Sequence, residues 1–277
     1  MVYTVKKIIF CIKKNKLALC CAVFLTLIIL LSIFVPLLSK NSSYAQDLKN
    51  TFSPPLSKGH LFGTDEFGRD LFVRVWEGAR ISLLVGFVAA VVQIIIGSIY
   101  GSISGILGGL MDEILMRVVD IIYSIPDLII VILFTMIMGS SPLAIIFALS
   151  LTSWTGVARI VRGQTLMLRE MEFVHAAKLL GAGNGDIVFR HILPNCSGSI
   201  MVNLMFSIPG AIFAESFLSF LGLGISIPKA SLGTLASDGF RFIMYYPWLV
   251  MIPIVIIALT MISFNILGDI IKYCLEE

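Results

Sequence analysis

Residues 17–38 read LALCCAVFLTLIILLSIFVPLL and contain no charged side chain. A helix needs about 20 apolar residues to cross the hydrocarbon core of a bilayer, whereas the apolar part of a secretory signal has only about 7–15. Five lysines precede the run, namely Lys6, Lys7, Lys13, Lys14 and Lys16. We therefore predict an uncleaved transmembrane anchor at 17–38, with residues 1–16 as a short cytoplasmic amino terminus.

The same apolar character recurs along the chain, which is 58% hydrophobic and only 13% charged. Soluble domains have about 45–50% apolar and about 25% charged residues, so this composition excludes a water-soluble fold. A backbone in hydrocarbon must satisfy its own hydrogen bonds, and apolar runs of this length favour helices over barrel strands. We predict an all-α membrane protein with six transmembrane helices, at Leu17–Leu38, Ile81–Leu110, Val118–Met138, Pro142–Val161, Ser199–Leu221 and Pro247–Ile271.

The placement of lysine and arginine predicts the orientation, because loops retain positive charge on the cytoplasmic side. The amino-terminal lysines place the start of the chain in the cytoplasm, and six spans return the carboxyl terminus to the same side. The polar insertion at 162–195, within a five-helix core at 81–277, then also faces the cytoplasm.

Basic residues also occur in the loop at 39–80, which this orientation places outside the cytoplasm. They are Lys40, Lys49, Lys58, Arg69, Arg74 and Arg80. The loop is long and also carries acidic residues, so it is weaker evidence than the lysine cluster beside the first helix. We expect Asp65, Arg69 and Asp70 to hold this loop together through local ion pairs and turns.

Four glycines of the second span recur at intervals of four, namely Gly97, Gly101, Gly105 and Gly109. Residues at this spacing share one face of a helix, and a face of small side chains lets another helix approach closely. We expect helix packing from this pattern and no ligand site.

The third span combines charged residues with a proline. Arg117 and Asp120 are three residues apart, a spacing that favours a local ion pair. Pro126 predicts a kink. A proton relay through Asp120, Asp127 and Glu215 is disfavoured, because the first two are expected near the cytoplasmic end and Glu215 near the outer side.

No catalytic or metal-binding pattern is evident in the sequence. The cysteines form no CxxC pair, so we expect inert thiols and neither a disulfide framework nor a zinc site. There is no GxxxxGK[ST] phosphate loop, GxSxG or HExxH motif. An ion-coupled transporter is disfavoured, since neither coupling-ion ligands nor inverted repeats are seen. We expect no cofactor and no nucleic-acid partner.

The insertion at 162–195 reads RGQTLMLREMEFVHAAKLLGAGNGDIVFRHILPN. Helix formers with apolar residues at helical spacing occupy 166–180, a glycine-rich break covers 181–185, and helix-forming residues resume at 186–192 before Pro194. This pattern predicts a helix, a break and a second helix at the membrane surface.

This insertion resembles the EAA loop of ABC importer permeases, in His175-Ala176-Ala177, Gly181 and His191-Ile192-Leu193-Pro194. In that family the short helix of the loop sits in a cleft of an ATP-binding subunit and transmits its movement to the membrane helices. The resemblance implies the type I ABC importer permease fold, with ATP hydrolysis in partner subunits and not in this chain. The residues assigned to coupling are Glu170, Glu172, His175, Ala176, Ala177, Gly181, His191, Leu193 and Pro194.

One position departs from the family pattern, because the family usually has glutamate where this chain has His175. That carboxylate is expected to pair with a basic residue of the ATPase. Either Glu170 or Glu172 takes over this pairing, or His175 donates a hydrogen bond instead, and the sequence leaves these alternatives open. Gly181 would permit a turn with positive φ.

Four further stretches are similar to permeases of the dipeptide, oligopeptide and nickel uptake group. They are HLFGTDEFGRD at 60–70, GARISL at 78–83, AESFLSFLGLG at 214–224 and NILGD at 265–269. The resemblance implies a bacterial inner-membrane assembly of this chain with a second, similar permease, two ATP-binding subunits and an extracytoplasmic substrate-binding protein. Peptides are the leading cargo, and nickel or a metal chelate is the alternative.

Overall fold

A computed structural model describes residues 2–39, 41–57, 59–225 and 229–276, so Lys40 and Lys58 lie outside the described residues. The described residues form helices, turns and two isolated β-bridges. Among them, five helices are long and apolar enough to cross a membrane, and a sixth span arises if one bent helix pair counts as a single crossing. The predicted all-α architecture is confirmed.

The helices of the described residues are numbered here in chain order. They are α1 (Val2–Lys14), α2 (Lys16–Leu38), α3 (Leu71–Leu107), α4 (Gly109–Tyr123), α5 (Asp127–Met138), α6 (Pro142–Leu168), α7 (Glu172–Leu179), α8 (Asn184–Asp186), a π-helical turn (Ile187–Ile192), α9 (Leu193–Asn195), α10 (Ser197–Phe220), α11 (Leu232–Phe240) and α12 (Trp248–Glu276). α1 packs on α2 and α12, so α1 and the last turns of α12 lie at one end of the bundle, which we name the terminal end. The opposite end, which holds residues 41–57 and 59–70 and α11, is named the loop end.

α3 begins at Leu71, so the last part of the expected loop at 39–80 is helical instead. Its first turn is capped by Asp70, whose carboxylate accepts a hydrogen bond of 3.0 Å from the backbone N–H of Val73. The side chain of Asp70 also lies 2.6 Å from Nδ1 of His60. The loop therefore fixes the start of the longest helix.

Three of the four glycines singled out in the sequence, Gly97, Gly101 and Gly105, lie against α6. A Cβ on Gly101 would lie 2.3 Å from the carbonyl oxygen of Ala158, so a side chain there would prevent this approach. Gly109 does not belong to this contact. α3 has already ended, and Gly109 begins α4 with no atom within 4 Å of the position that its Cβ would take.

The third span is divided by a bend of 74° between α4 and α5. Pro126 immediately precedes α5 and donates no backbone hydrogen bond, which accounts for a break at the predicted kink. The expected pair of Arg117 with Asp120 is wrong. Asp120 instead binds Arg159 of α6 at 2.8 Å, because the bend turns α4 along α6.

A disulfide joins Cys11 of α1 to Cys274 of α12 at the terminal end. This corrects the expectation that all the thiols are inert. The two residues are 263 positions apart, and only the packing of α1 along α12 brings them together. Cys20, Cys21 and Cys196 are free.

At the loop end, ion pairs hold the connection between α2 and α3, as the sequence predicts. Asp65 binds Arg69 at 2.6 Å and Arg74 at 3.4 Å. α11, which the sequence analysis did not predict, buries Leu232 and Leu235 against α3 and α12. Its helical start is stabilised by a capping box at Ser231.

Two acidic side chains of the loop end, Glu66 and Asp238, line one small cavity with Arg74. Burial raises the pKa of Asp238 above its usual value, against the opposing charge of Arg74. Burial also raises the pKa of Glu66, and the nearby Asp238 carboxylate adds to that shift. Both groups therefore favour protonation more than exposed carboxyls do.

Glu215 of α10 is fully buried and hydrogen-bonded. The hydroxyls of Ser82 and Ser219 each donate to its carboxylate at 2.8 Å. The backbone N–H of Leu232 donates to the Ser82 oxygen at 3.2 Å. This network ties α3, α10 and α11 together, and none of its bonds leads to Asp120 or Asp127.

Candidate coupling segment

The residues between α6 and α10, 169–196, form one compact unit at the terminal end, which we name the coupling segment. α6 extends to Leu168, beyond its predicted end at Val161. The single helix expected over 166–180 is divided by a turn before α7. Arg169 stabilises this turn, since its guanidinium donates to the carbonyl oxygen of Gly105 at 3.0 Å and binds Glu170 at 2.9 Å.

One face of α7 is anchored in the bundle. Val174 is fully buried and packs in a cluster with Ile106 of α3 and with Ile187 and Ile192 of the π-helical turn. Ala177 is buried on the same face. α7 is therefore packed against α3 and the start of α10.

The tip of α7 is apolar and exposed. Leu179 and Leu180 are each 90% exposed. Phe173 and Met171 are also exposed on this segment. Clustered exposed apolar side chains are typical of surfaces that bind another protein.

A glycine reverses the chain after α7. Gly181 has φ of 85°, in the left-handed region that the sequence analysis expected. Its N–H donates to the carbonyl oxygen of Lys178 at 2.9 Å, and that of Ala182 donates to Ala177 at 3.0 Å. These two bonds satisfy the last carbonyls of α7 and fix the direction of the segment.

The second half of the segment is helical, as predicted, but it contains a π-helical turn before α9. Pro194 has no N–H, and its ring would crowd the carbonyl of Arg190 in a regular α-helix, which accounts for the wider turn. The side-chain amide of Asn195 donates to the carbonyl oxygen of His191 at 2.6 Å. Leu193 packs on the buried cluster that contains Val174.

The structure bears on which residue near the start of α7 takes the place of the missing family glutamate. Glu170 is already paired with Arg169. Glu172 and His175 lie one helical turn apart on the exposed surface, and no described residue pairs with either. Ala176 is exposed between Glu172 and the tip. Both carboxylates are exposed, and Glu172 is the one without a partner among the described residues.

The described residues contain no group of three or more side chains suited to hold a metal ion. The coupling segment likewise presents charged, apolar and small side chains with no nucleophile and base in contact. Its arrangement fits mechanical recognition of a partner.

Comparison with protein families identifies this architecture. Residues 93–277 match the model of the binding-protein-dependent transport system inner membrane component. The chain belongs to this family of permeases. Residues 10–55 match a second model, the N-terminal TM domain of oligopeptide transport permease C. The two matches leave residues 1–9 and 56–92 uncovered, and the first match includes the coupling segment.

Several curated relatives are similar over almost the whole permease. The oligopeptide transport system permease protein OppC of Bacillus subtilis is 46% identical over 95% of this chain and 86% of the relative. The dipeptide transport system permease protein DppC of Bacillus subtilis is 46% identical over 93% of this chain and 81% of the relative. The Escherichia coli K12 OppC is 44% identical over 95% of this chain and 87% of the relative.

A solved structure of the MetNI methionine ABC transporter, in an inward-facing conformation, shares the fold. Its TM-score is 0.57 at 20% identity, over 74% of this permease and 95% of the compared chain. This confirms the type I ABC importer permease fold that the EAA-like loop implies.

Proposed function

We propose that this permease imports dipeptides or oligopeptides as the membrane-spanning subunit of an ATP-driven importer. The relatives at 44–46% identity are named for peptide transport, which supports peptides over nickel or a metal chelate. The geometry of the coupling segment supports coupling to an ATPase, because α7 is anchored on one side and exposes an apolar tip on the other.

In this proposal the tip of α7 binds a cleft on an ATP-binding subunit. Leu179 and Leu180 supply apolar contact, and Ala176 allows a close approach. Glu172 replaces the missing family glutamate as the partner of a basic residue of the ATPase. Closure of the ATPases then moves α7, and the cluster around Val174 transmits that movement to α3 and α10.

The complete assembly contains a second, similar permease, two ATP-binding subunits and an extracytoplasmic binding protein. Both termini and the coupling segment lie in the cytoplasm of a bacterial cell, and the loop end faces the binding protein. The lysines before the first span support this orientation.

Reconstitution of the complete importer in proteoliposomes tests the proposal. Vesicles are loaded with ATP, and a radiolabelled peptide is added outside with the binding protein. We expect uptake that requires both ATP and the binding protein. Uptake that runs on an ion gradient without the ATPases, or uptake of nickel but not of peptide, would contradict it.

A further inference from the structure

A cavity of about 670 Å³ opens between α3, α5, α6 and α10. Its volume falls in the range of about 300–1,000 Å³ that is typical of small-molecule sites. Most of its wall is apolar, and the polar side chains in it are few. They are Gln93, Asp127, Ser153, Asn203 and Ser207.

Of these polar groups, Gln93 is buried, Ser153, Asn203 and Ser207 are half-buried, and Asp127 is exposed. Along the helix axes they lie far from both ends of the bundle. α5 has 12 residues and runs from Asp127 to Met138 at the loop end. At about 1.5 Å per residue, Asp127 lies about 17 Å from that end, which is near the middle of a hydrocarbon core of about 30 Å. Gln93 lies about 21 Å from the last residue of α3 on the same scale.

The Asp127 carboxylate has no hydrogen bond or ion pair to any described residue. The other acidic residues facing α6 from this bent span are paired, since Asp112 binds Arg162 at 2.6 Å and Asp120 binds Arg159 at 2.8 Å. An exposed carboxylate without a partner at this depth is a candidate for binding a cationic group.

A second group in the cavity is also unpartnered. Gln93 is only 4% exposed, and no described residue forms a hydrogen bond with its side-chain amide, which faces the cavity. The hydroxyls of Ser153 and Ser207 likewise have no partner among the described residues. Because this amide lines the cavity, its donors and acceptor are available to a bound molecule.

We propose that this cavity holds the peptide in transit, with the Asp127 carboxylate binding the peptide's α-ammonium group and Gln93 binding its backbone amides. The inference rests on the proposed function, since it assumes a peptide cargo. A carboxylate and an ammonium form a strong, charge-assisted hydrogen bond. A side-chain amide offers both a donor and an acceptor, which match the acceptor and donor of a peptide bond.

The test uses the complete importer in proteoliposomes and a radiolabelled tripeptide with a free amino terminus. Three variants are compared with the parent, namely Asp127→Asn, Asp127→Glu and Glu113→Gln. Asn has the shape of Asp without its charge, whereas Glu retains the charge in a larger side chain. Glu113 is an exposed acid of α4 that does not line the cavity, so it is the matched control.

We expect Asp127→Asn to lower the number of peptides imported per ATP hydrolysed by about tenfold, because a charged hydrogen bond is lost. Asp127→Glu should retain uptake within about threefold of the parent, and Glu113→Gln should match the parent. ATP hydrolysis should stay within about twofold in all of them, since the coupling segment is unchanged.

Three results would overturn the inference while peptide import by the parent stands. One is normal uptake by Asp127→Asn. Another is the reverse pattern, with Asp127→Glu impaired and Asp127→Asn normal, which indicates packing. The third is an equal fall in uptake and ATP hydrolysis, which indicates a role in gating. Absence of peptide import by the parent importer would instead refute the proposed function.

Discussion

Replacing Gly181 by alanine tests whether the turn after α7 is required for coupling. The φ of 85° places this residue in the left-handed region, and a Cβ there would meet no atom within 4 Å. The cost of the substitution is therefore conformational and not steric. It amounts to about 1–2 kcal/mol, which corresponds to about a 5–30-fold fall in the equilibrium constant for forming the intact turn.

Uptake and ATP hydrolysis are measured together in proteoliposomes that contain the complete importer. We expect Gly181→Ala to lower peptide uptake, by up to about 30-fold, while the amount of permease in the membrane stays unchanged. Gly181→Val should lower uptake further, because a β-branched side chain tolerates positive φ poorly.

Gly183→Ala is the matched control. Gly183 lies in the same turn, a Cβ there also meets no atom within 4 Å, and its φ of −72° is ordinary for any residue. This variant should keep uptake within about twofold of the parent, because alanine adopts that conformation without strain. Equal uptake by Gly181→Ala and the parent, or equal impairment of both alanine variants, would refute the reasoning.

Two further predictions concern stability. Gly101→Ala should lower the melting temperature of the purified permease, because its Cβ would lie 2.3 Å from the Ala158 carbonyl oxygen. Overpacking of this kind costs about 1–3 kcal/mol. Gly163→Ala is the control and should leave the melting temperature unchanged, because a Cβ at Gly163 on α6 meets no atom within 4 Å. Because the pKa of Asp238 is raised, the folded state binds the proton of this carboxyl more tightly than the unfolded chain does. The stability that the bound proton contributes is present below the usual carboxyl pKa. It is lost as the pH rises through the raised pKa. Asp238→Asn should therefore lose less stability than the parent between about pH 4 and pH 7 in thermal unfolding, and identical pH profiles would contradict this.

The membrane spans could be predicted from the sequence because the bilayer imposes a direct requirement for long apolar runs. The residues at which the helices begin and end were harder to predict from the sequence. The first turns of α3 carry Arg74, Glu77 and Arg80, which do not read as membrane-embedded. They are helical because Asp70 caps the helix and because Trp76 packs in the apolar cluster at the loop end.

α11 could not be predicted from local sequence for a related reason. It has only nine residues, two of which are glycine. Its stability comes from burial of Leu232 and Leu235 against distant helices and from the capping box. Tertiary contacts decide such a short segment, because isolated helices of this length are marginal in water.

The coupling segment shows the same division between local and distant causes. The turn at Gly181 is encoded locally, since glycine adopts positive φ without strain. The break before α7 depends on the bond from Arg169 to the carbonyl oxygen of Gly105, 64 residues away in the chain. The Cys11–Cys274 disulfide likewise depends on contact between the two ends of the chain.

Crosslinking from the tip of α7 tests the central claim most directly. A cysteine is introduced at Leu179, and the complete importer is treated in membranes with a short thiol-reactive crosslinker. A cysteine at Leu143, which is 75% exposed at the opposite end of the bundle, is the control. We predict that Leu179→Cys crosslinks to an ATP-binding subunit and that Leu143→Cys does not. Failure of Leu179→Cys to reach that subunit, or its labelling by a membrane-impermeant reagent added outside intact cells, would contradict the account.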